Sequence, residues 1–206
     1  YNNADNRVFA GVMAGFETTQ NIRANQGNGY DGTGNGHAPT VGAYLTWVNN
    51  NGWFADGTFR YFWSDLNMTS YAANGTAVKY SPDHEFVAAS GEIGKRMVFN
   101  ETPESRYFLE PKAEVIYAHS DGKLHKTSIG VGLRYDEIET FSSRVGMRLA
   151  YQHKLASGAF IEPFVEANWV AEWSGVTPVN YAGSTFKSDV SGHGYEIAMG
   201  INGKVR

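Results

Sequence analysis

Arg106-Tyr107-Phe108-Leu109-Glu110-Pro111-Lys112-Ala113-Glu114-Val115-Ile116-Tyr117-Ala118-His119 decides the fold. One parity of this stretch reads Tyr107, Leu109, Pro111, Ala113, Val115, Tyr117. The other reads Arg106, Phe108, Glu110, Lys112, Glu114, Ile116, Ala118. Successive side chains of a strand point to opposite faces. One face is therefore apolar with tyrosines near its ends, and the other carries Glu110, Lys112 and Glu114 in a row. Such a strand separates two very different media. A membrane β-barrel demands this pattern over such a length, because no backbone group can go unpaired in lipid.

The same alternation recurs along the chain and predicts eight strands. Val8, Ala10, Val12, Ala14 and Phe16 mark the first, and Val41, Ala43, Leu45 and Trp47 the second. Trp53, Ala55, Phe59, Tyr61 and Trp63 mark the third, opposed by Asp56, Thr58, Arg60 and Ser64. The fourth sets Val87, Ala89, Ile93 and Met97 against Ser90, Glu92 and Arg96. The Arg106–His119 stretch is the fifth. The sixth sets Val145, Met147, Leu149 and Tyr151 against Arg144, Arg148 and Gln152. The seventh sets Ala159, Ile161, Pro163, Val165, Ala167 and Trp169 against Glu162, Glu166 and Asn168. The eighth sets Tyr195, Ile197, Met199 and Ile201 against Glu196, Asn202 and Lys204.

The connections alternate in length. Asn50-Asn51-Gly52, residues 99–105 and Ala156-Ser157-Gly158 read as short turns, Asn-Gly being suited to positive φ. Glu17 to Pro39, Asp65 to Asp83 and Ser174 to Asp189 read as loops, the first rich in glycine. Ser120 to Phe141 is a further long connection, in which Thr127 to Tyr135 reads either as a strand extension or as a loop hairpin. Bacterial barrels have short periplasmic turns and long extracellular loops. The short turns are thus expected on the periplasmic side. Trp47, Trp53 and Tyr107 fall near short turns, and Trp63, Tyr117 and Trp169 near long connections. Two lipid-facing aromatic girdles are expected.

The 206 residues suffice for one β domain spanning 1–206. Cysteine is absent, which excludes a disulfide framework and thiol catalysis. A net charge of −4 is too mild to point to nucleic acid. Mean hydropathy is negative, yet transmembrane strands escape that test because half their residues face the lumen. A soluble barrel shows the same alternation with its faces exchanged. The length of the runs, the aromatics at their ends, and Gly and Phe within the polar parity (Phe9, Gly11, Phe62, Phe108, Phe164) favour the membrane.

Asp56, Arg60, Glu92, Arg96, Glu110, Lys112, Glu114, Arg144, Arg148, Glu162, Glu166 and Glu196 form the expected lumen-facing polar ladder. Paired carboxylates can perform acid–base chemistry. Ion pairing between neighbouring strands is the simpler role, and it keeps a pore hydrated. The six histidines show no metal-ligand spacing. Asp83-His84 resembles part of a catalytic pair, but Ala89-Ser90-Gly91 lacks the nucleophile elbow. The glycines of 27–36 do not open a helix, so a phosphate loop is not expected. No catalytic residue, cofactor or metal is expected.

Several segments resemble, in order, the translocator barrel of type V autotransporters. Gly11-Val12-Met13-Ala14-Gly15-Phe16 is similar to an early glycine-rich strand of that family. Gly42-Ala43-Tyr44-Leu45-Thr46-Trp47 and Gly52-Trp53-Phe54-Ala55-Asp56 resemble its next hairpin. Leu109-Glu110-Pro111-Lys112-Ala113-Glu114, Ser143-Arg144-Val145-Gly146-Met147-Arg148 and Ile161-Glu162-Pro163-Phe164-Val165-Glu166 resemble later strands, and Tyr195 to Gly203 a late one. The resemblance implies an all-β transmembrane antiparallel meander barrel, with about eight of a probable twelve strands present, two absent at each end. It implies an outer-membrane anchor that helps to export an N-terminal passenger, and no enzyme. Implied partners are outer-membrane lipid and lipopolysaccharide, the chain's own passenger segment and the barrel-assembly machinery. An intact eight-stranded porin-like or adhesive barrel, and an outer-membrane hydrolase using Asp83-His84, are the alternatives.

Overall fold

The computed structural model describes residues 5–25, 31–72, 74–181 and 184–204. These residues form strands and no helix. In chain order the strands are β1 (Asn6–Asn25), β2 (Asp31–Asn49), β3 (Trp53–Tyr71), β4 (Ala77–Tyr80), β5 (Asp83–Lys95), β6 (Met97–Phe99) and β7 (Ser105–Ser120). They continue as β8 (Lys123–Lys126), β9 (Gly132–Tyr135), β10 (Ile138–Lys154), β11 (Phe160–Ser174), β12 (Val176–Tyr181), β13 (Ser184–Asp189) and β14 (Gly192–Lys204). Eight long strands form one antiparallel meander, β1-β2-β3-β5-β7-β10-β11-β14, curled as a half-barrel. β4 adds to β3, and β6 continues the run of β5 along β7. The eight strands and their order are those the alternation predicts.

Pro111 explains the gap between β5 and β6. It stands mid-strand in β7 and has no N–H to give to a ladder. Pairing runs to Gly94↔Lys112 and resumes at Met97↔Leu109, on either side of it. On the other side of β5 pairing is uninterrupted: the backbone N–H of Arg96 donates to the Gly52 carbonyl at 2.8 Å, one step beyond Trp53↔Lys95.

Lateral pairing shows that the strands are tilted. One row of cross-strand partners runs Val8–Trp47–Ala55–Ile93–Ala113–Val145–Trp169–Tyr195. It passes Trp47, beside a short turn, near one end and Trp169, beside a long connection, near the other. Perpendicular to the strands, the row thus climbs from one girdle to the other, which is the stagger a barrel requires.

The short turns are built as the residues demand. Gly52 has φ +89° and Gly158 φ +79°, the region only glycine enters freely. Beyond the apolar belt the sequence reading needs correction. Glu17 to Pro39 is not a loop. β1 and β2 stay paired from Thr18↔His37 out to Asn25↔Asp31, with one register shift, and residues 26–30 lie outside the described residues. Asp65 to Asp83 likewise contains the end of β3 and all of β4. Ser174 to Asp189 contains β12 and β13, whereas in Ser120 to Phe141 the hairpin, one of its two readings, is what forms, as β8 and β9. These two hairpins join as a second sheet, β13-β12-β9-β8. Alternation stops there, but backbone pairing does not.

Burial inverts the usual globular pattern. Outer-parity residues are exposed, Val12 by 88 % and Met147 by 52 %. The buried residues of the long strands lie mostly on the other parity: Phe108, Glu110, Ala150, Gln152, Glu162 and Asn168. β1 and β14 are the sheet's two edges. Tyr195, Ile197 and Met199 on β14 are accordingly the most open of the outer residues after Val12.

Candidate functional site

The polar parity lies on the concave face, as its contacts prove. Lys112 Nζ on β7 reaches Glu166 on β11 at 2.9 Å, passing over β10. Arg144 Nε on β10 reaches Glu196 on β14 at 3.1 Å, passing over β11. Strands two places apart are separated by roughly 9.6 Å in a flat sheet, so these bonds need long side chains leaning across an inward curve.

Ten of the twelve predicted residues fall into three ionic clusters. Nearest the short turns, Glu110 takes the guanidinium of Arg96 and lies 3.7 Å from Arg148 Nη1. Arg148 Nη2 donates to Glu162 at 3.1 Å, and Gln152 Nε2 donates to the second Glu162 oxygen at 3.1 Å. In the middle, Lys112 lies between Glu92 (3.3 Å) and Glu166 (2.9 Å), and Asn168 Nδ2 donates to Glu166 at 2.9 Å. Furthest up, Arg144 bridges Glu114 (2.6 Å) and Glu196 (3.1 Å). Charge-assisted bonds of this kind are the strong ones. Each carboxylate of the network faces a cation or an amide, and each cation holds at least two acceptors or an aromatic face.

Asp56 and Arg60 stand apart. The Asp56 carboxylate accepts from the Thr46 hydroxyl. Arg60 is exposed and has no ion pair among the described residues. Both lie on β3, toward the β1 edge, where the inner face carries mostly glycine, threonine and tyrosine.

Periodicity alone gave no role to the aromatics of the polar parity. Phe108 is fully buried beneath two guanidiniums, Arg96 at 4.4 Å and Arg106 at 4.9 Å from its ring centre. Phe164 lies under Arg148 at 4.0 Å. Such stacking stabilises a cation without requiring a counter-charge. Other inner aromatics cover glycines: a Cβ on Gly11 would meet the Tyr44 ring at 2.5 Å, and one on Gly94 the Phe54 ring at 2.3 Å. A phenylalanine in a polar parity, opposite a glycine or beside arginines, is the signal that would have found these contacts. A cavity of about 780 Å³ opens at the short-turn end of this face, lined by Arg7, Asp56, Arg96, Arg106 and Glu110 among others.

The outer face carries the six girdle residues in two bands. Trp47 Nε1 donates to Asn6 at 3.0 Å, Lys95 lies 5.2 Å from the Trp53 ring, and Tyr107 packs on Phe99 and Tyr151. At the other end Trp63 meets Tyr61 edge-on at 4.6 Å, the Tyr117 hydroxyl donates to Glu139 at 2.8 Å, and Trp169 packs on Trp173. Trp173, 60 % exposed, extends this band beyond the predicted residues.

Asp83 and His84 do not form a catalytic pair. The Asp83 carboxylate is taken by Lys123 and lies 3.4 Å from His125 Nδ1, while His84 Nδ1 has no partner. Ser90 is six residues away along β5 and bonds to Thr58 at 2.7 Å. Among the described residues no group of three or more His, Asp or Glu is placed to hold a metal ion.

Known proteins match this arrangement along almost the entire chain. The family described as Autotransporter beta-domain matches residues 2–206. The pertactin autotransporter of Bordetella bronchiseptica is 27% identical over 200 residues, covering 96% of this chain and 21% of that protein. The BrkA autotransporter of Bordetella pertussis is 28% identical over 177 residues, covering 86% of this chain and 17% of that protein. The chain therefore spans about one fifth of the length of these curated relatives. The crystal structure of the BrkA β domain shares the fold, with a TM-score of 0.69 at 20% identity over 98% of this chain and 84% of that one. An exposed apolar exterior, an ion-paired interior and a staggered meander accord with that match, and the chain belongs to the Autotransporter beta-domain family, a family of the outer membrane.

Proposed function

We propose that residues 1–206 act as one translocator domain whose outer face meets lipid and whose inner face lines a hydrated passage for an N-terminal passenger. The girdles meet the lipid headgroups, with lipopolysaccharide on the outer leaflet. The short turns at 50–52, 100–104 and 155–159 face the periplasm, and the paired extensions of β1–β4 and β8–β13 face outward. The barrel-assembly machinery delivers the sheet to the membrane, and the chain itself catalyses no reaction. Passage of an extended polypeptide needs a wetted wall without a sticky apolar surface, and the three ionic clusters supply one. Because each charge in them is already paired, the wall attracts a passing chain only weakly.

The observation that carries this reading is the split between parities of the same strand. Val115 is 49 % exposed on the outer face, while neighbouring Glu114 is bound to Arg144 on the inner one. Val115→Arg places a charge in hydrocarbon, at a cost of about 2–4 kcal/mol near the bilayer centre. Glu114→Gln keeps the size and the bond to Arg144. In a heat-modifiability assay, Val115→Arg is expected to abolish the folded band and Glu114→Gln to leave it. Equal tolerance of both would falsify the assignment of faces.

A further inference from the structure

A second cluster of titratable groups lies at the outward mouth, away from the ionic wall. His84 stands at the loop end of β5, opposite Ser64 and one position past girdle residue Trp63. It shares the parity of Glu92, so it faces the concave side above the apolar belt. β8 brings His125 against it, with ring centres 5.5 Å apart and edge-on, and β9 brings Tyr135 to 5.0 Å from His84 and 5.9 Å from His125. The two histidines are 6 % and 7 % exposed. His84 Nδ1 and His125 Nε2 are buried without a hydrogen-bond partner.

This cluster is the seam between the two sheets. β8 is the edge of the four-stranded sheet, and β5 belongs to the wall. The other ties across the seam are Lys123 and His125 Nδ1 (3.4 Å) to Asp83, two bonds between Ser128 and Lys79 at 2.8 and 3.0 Å, and the apolar side chains of Val78, Tyr80, Ile129 and Leu133 about one cavity. We propose that the seam is an acid-sensitive latch, in which neutral His84 and His125 pack as aromatic rings and dock the β8–β9 hairpin on the inner side of β5, and their protonation releases it.

The surroundings favour this. From β5, Asp83 is the single carboxylate in contact, and Lys123 already occupies it. From β8 comes Lys123, a positive charge. From β9 comes Tyr135, whose phenol burial pushes above its usual range, with Tyr80 of β4 nearby. From β3 comes Ser64, while Asp65 lies 3.3 Å from His37, Glu85 takes the Tyr61 hydroxyl, and both act weakly on Lys123. A proton gained at either orphaned nitrogen finds no acceptor. Burial holds both imidazoles below the ordinary histidine range, and His125 lowers His84 further.

The sign follows. A released histidine takes up a proton near its ordinary value of about 6.5, whereas a docked one resists. Docking is at full strength above that pH and weakens as the pH falls through it. From pH 7.5 to 5.5 each histidine favours release by up to about tenfold, and both together by about 100-fold. His119, at the end of β7, is placed instead against Asp121 and Glu137.

Hydrogen–deuterium exchange of the full-length protein in outer-membrane vesicles tests the latch, with rates corrected for the intrinsic pH dependence. Amides of 123–135 are expected to open tens of times more often at pH 5.5 than at pH 7.5, while belt amides of β10 stay unchanged. His84→Phe with His125→Phe is expected to reduce the step to less than about threefold, and His125→Phe alone to about tenfold. The proposal fails if the wild type shows no step beyond that of the belt, or if either variant keeps the full step. Belt amides in the same sample report whether each variant is folded, and the single variant decides alone should the double one not fold.

Discussion

Two arginines, one on each sheet, show how differently the belt and the mouth are built. Arg148, in the belt, has Glu110 at 3.7 Å, Glu162 at 3.1 Å and the Phe164 ring beneath it, and its side chain is 18 % exposed. Arg134, in the mouth, has Asp136 at 3.2 Å and is 67 % exposed. Belt charges are held in a network fixed by strands on both sides, whereas Arg134 rests on a single exposed pair that water can replace. Stability thus resides in the belt, and the mouth is left free to vary or to move.

The largest effect that would break this contrast is expected at Phe108. Its ring is fully buried and supports both Arg96 and Arg106. Phe108→Ala removes the ring and both cation–aromatic contacts, and large-to-small changes at such sites cost about 3–5 kcal/mol. Urea titration of the refolded protein in lipid vesicles is expected to show a midpoint lowered in proportion. A midpoint within error of the wild type would mean that water fills the space at no cost, and the belt would then owe little to packing on its inner face.

The belt was legible from sequence because lipid writes its demand into alternate residues. Leu109 and Val115 had to be apolar, and Glu110 and Glu114 could be charged only because they point the other way. The mouth carries no such demand. Gly32, Gly34 and Gly36 pair with β1 or β3 through backbone bonds that any residue can make, so a glycine-rich strand reads as a loop. β12 and β13 were missed for the same reason. The ladder was readable as a set but not as three clusters, since partners such as Lys112 and Glu166 meet across an intervening strand, and that depends on curvature. Phe108 and Phe164 stand out in the sequence only as apolar members of the polar parity; Arg96 and Arg148, which stack on them, come from neighbouring strands whose register a sequence does not state.

Arg148→Ala and Arg134→Ala sharpen the comparison with a single chemical change. Removing Arg148 leaves Glu110 with Arg96 and Glu162 with Gln152, so the loss is expected at the low end for a broken buried pair, about 3 kcal/mol. Arg134→Ala gives up one exposed pair, for which the usual cost is about 0–1 kcal/mol. The difference in urea midpoint between the two variants therefore measures what a network adds to a pair. Salt separates them further: screening reaches Arg134 and Asp136 readily, with a Debye length of about 3 Å at 1 M, and reaches the enclosed cluster much less. Adding 1 M sodium chloride is expected to erase the small effect of Arg134→Ala and to leave most of that of Arg148→Ala. If both losses faded together, the inner wall would be as open to solvent ions as the mouth, and the paired charges would contribute wetting alone, with no share in holding the sheet.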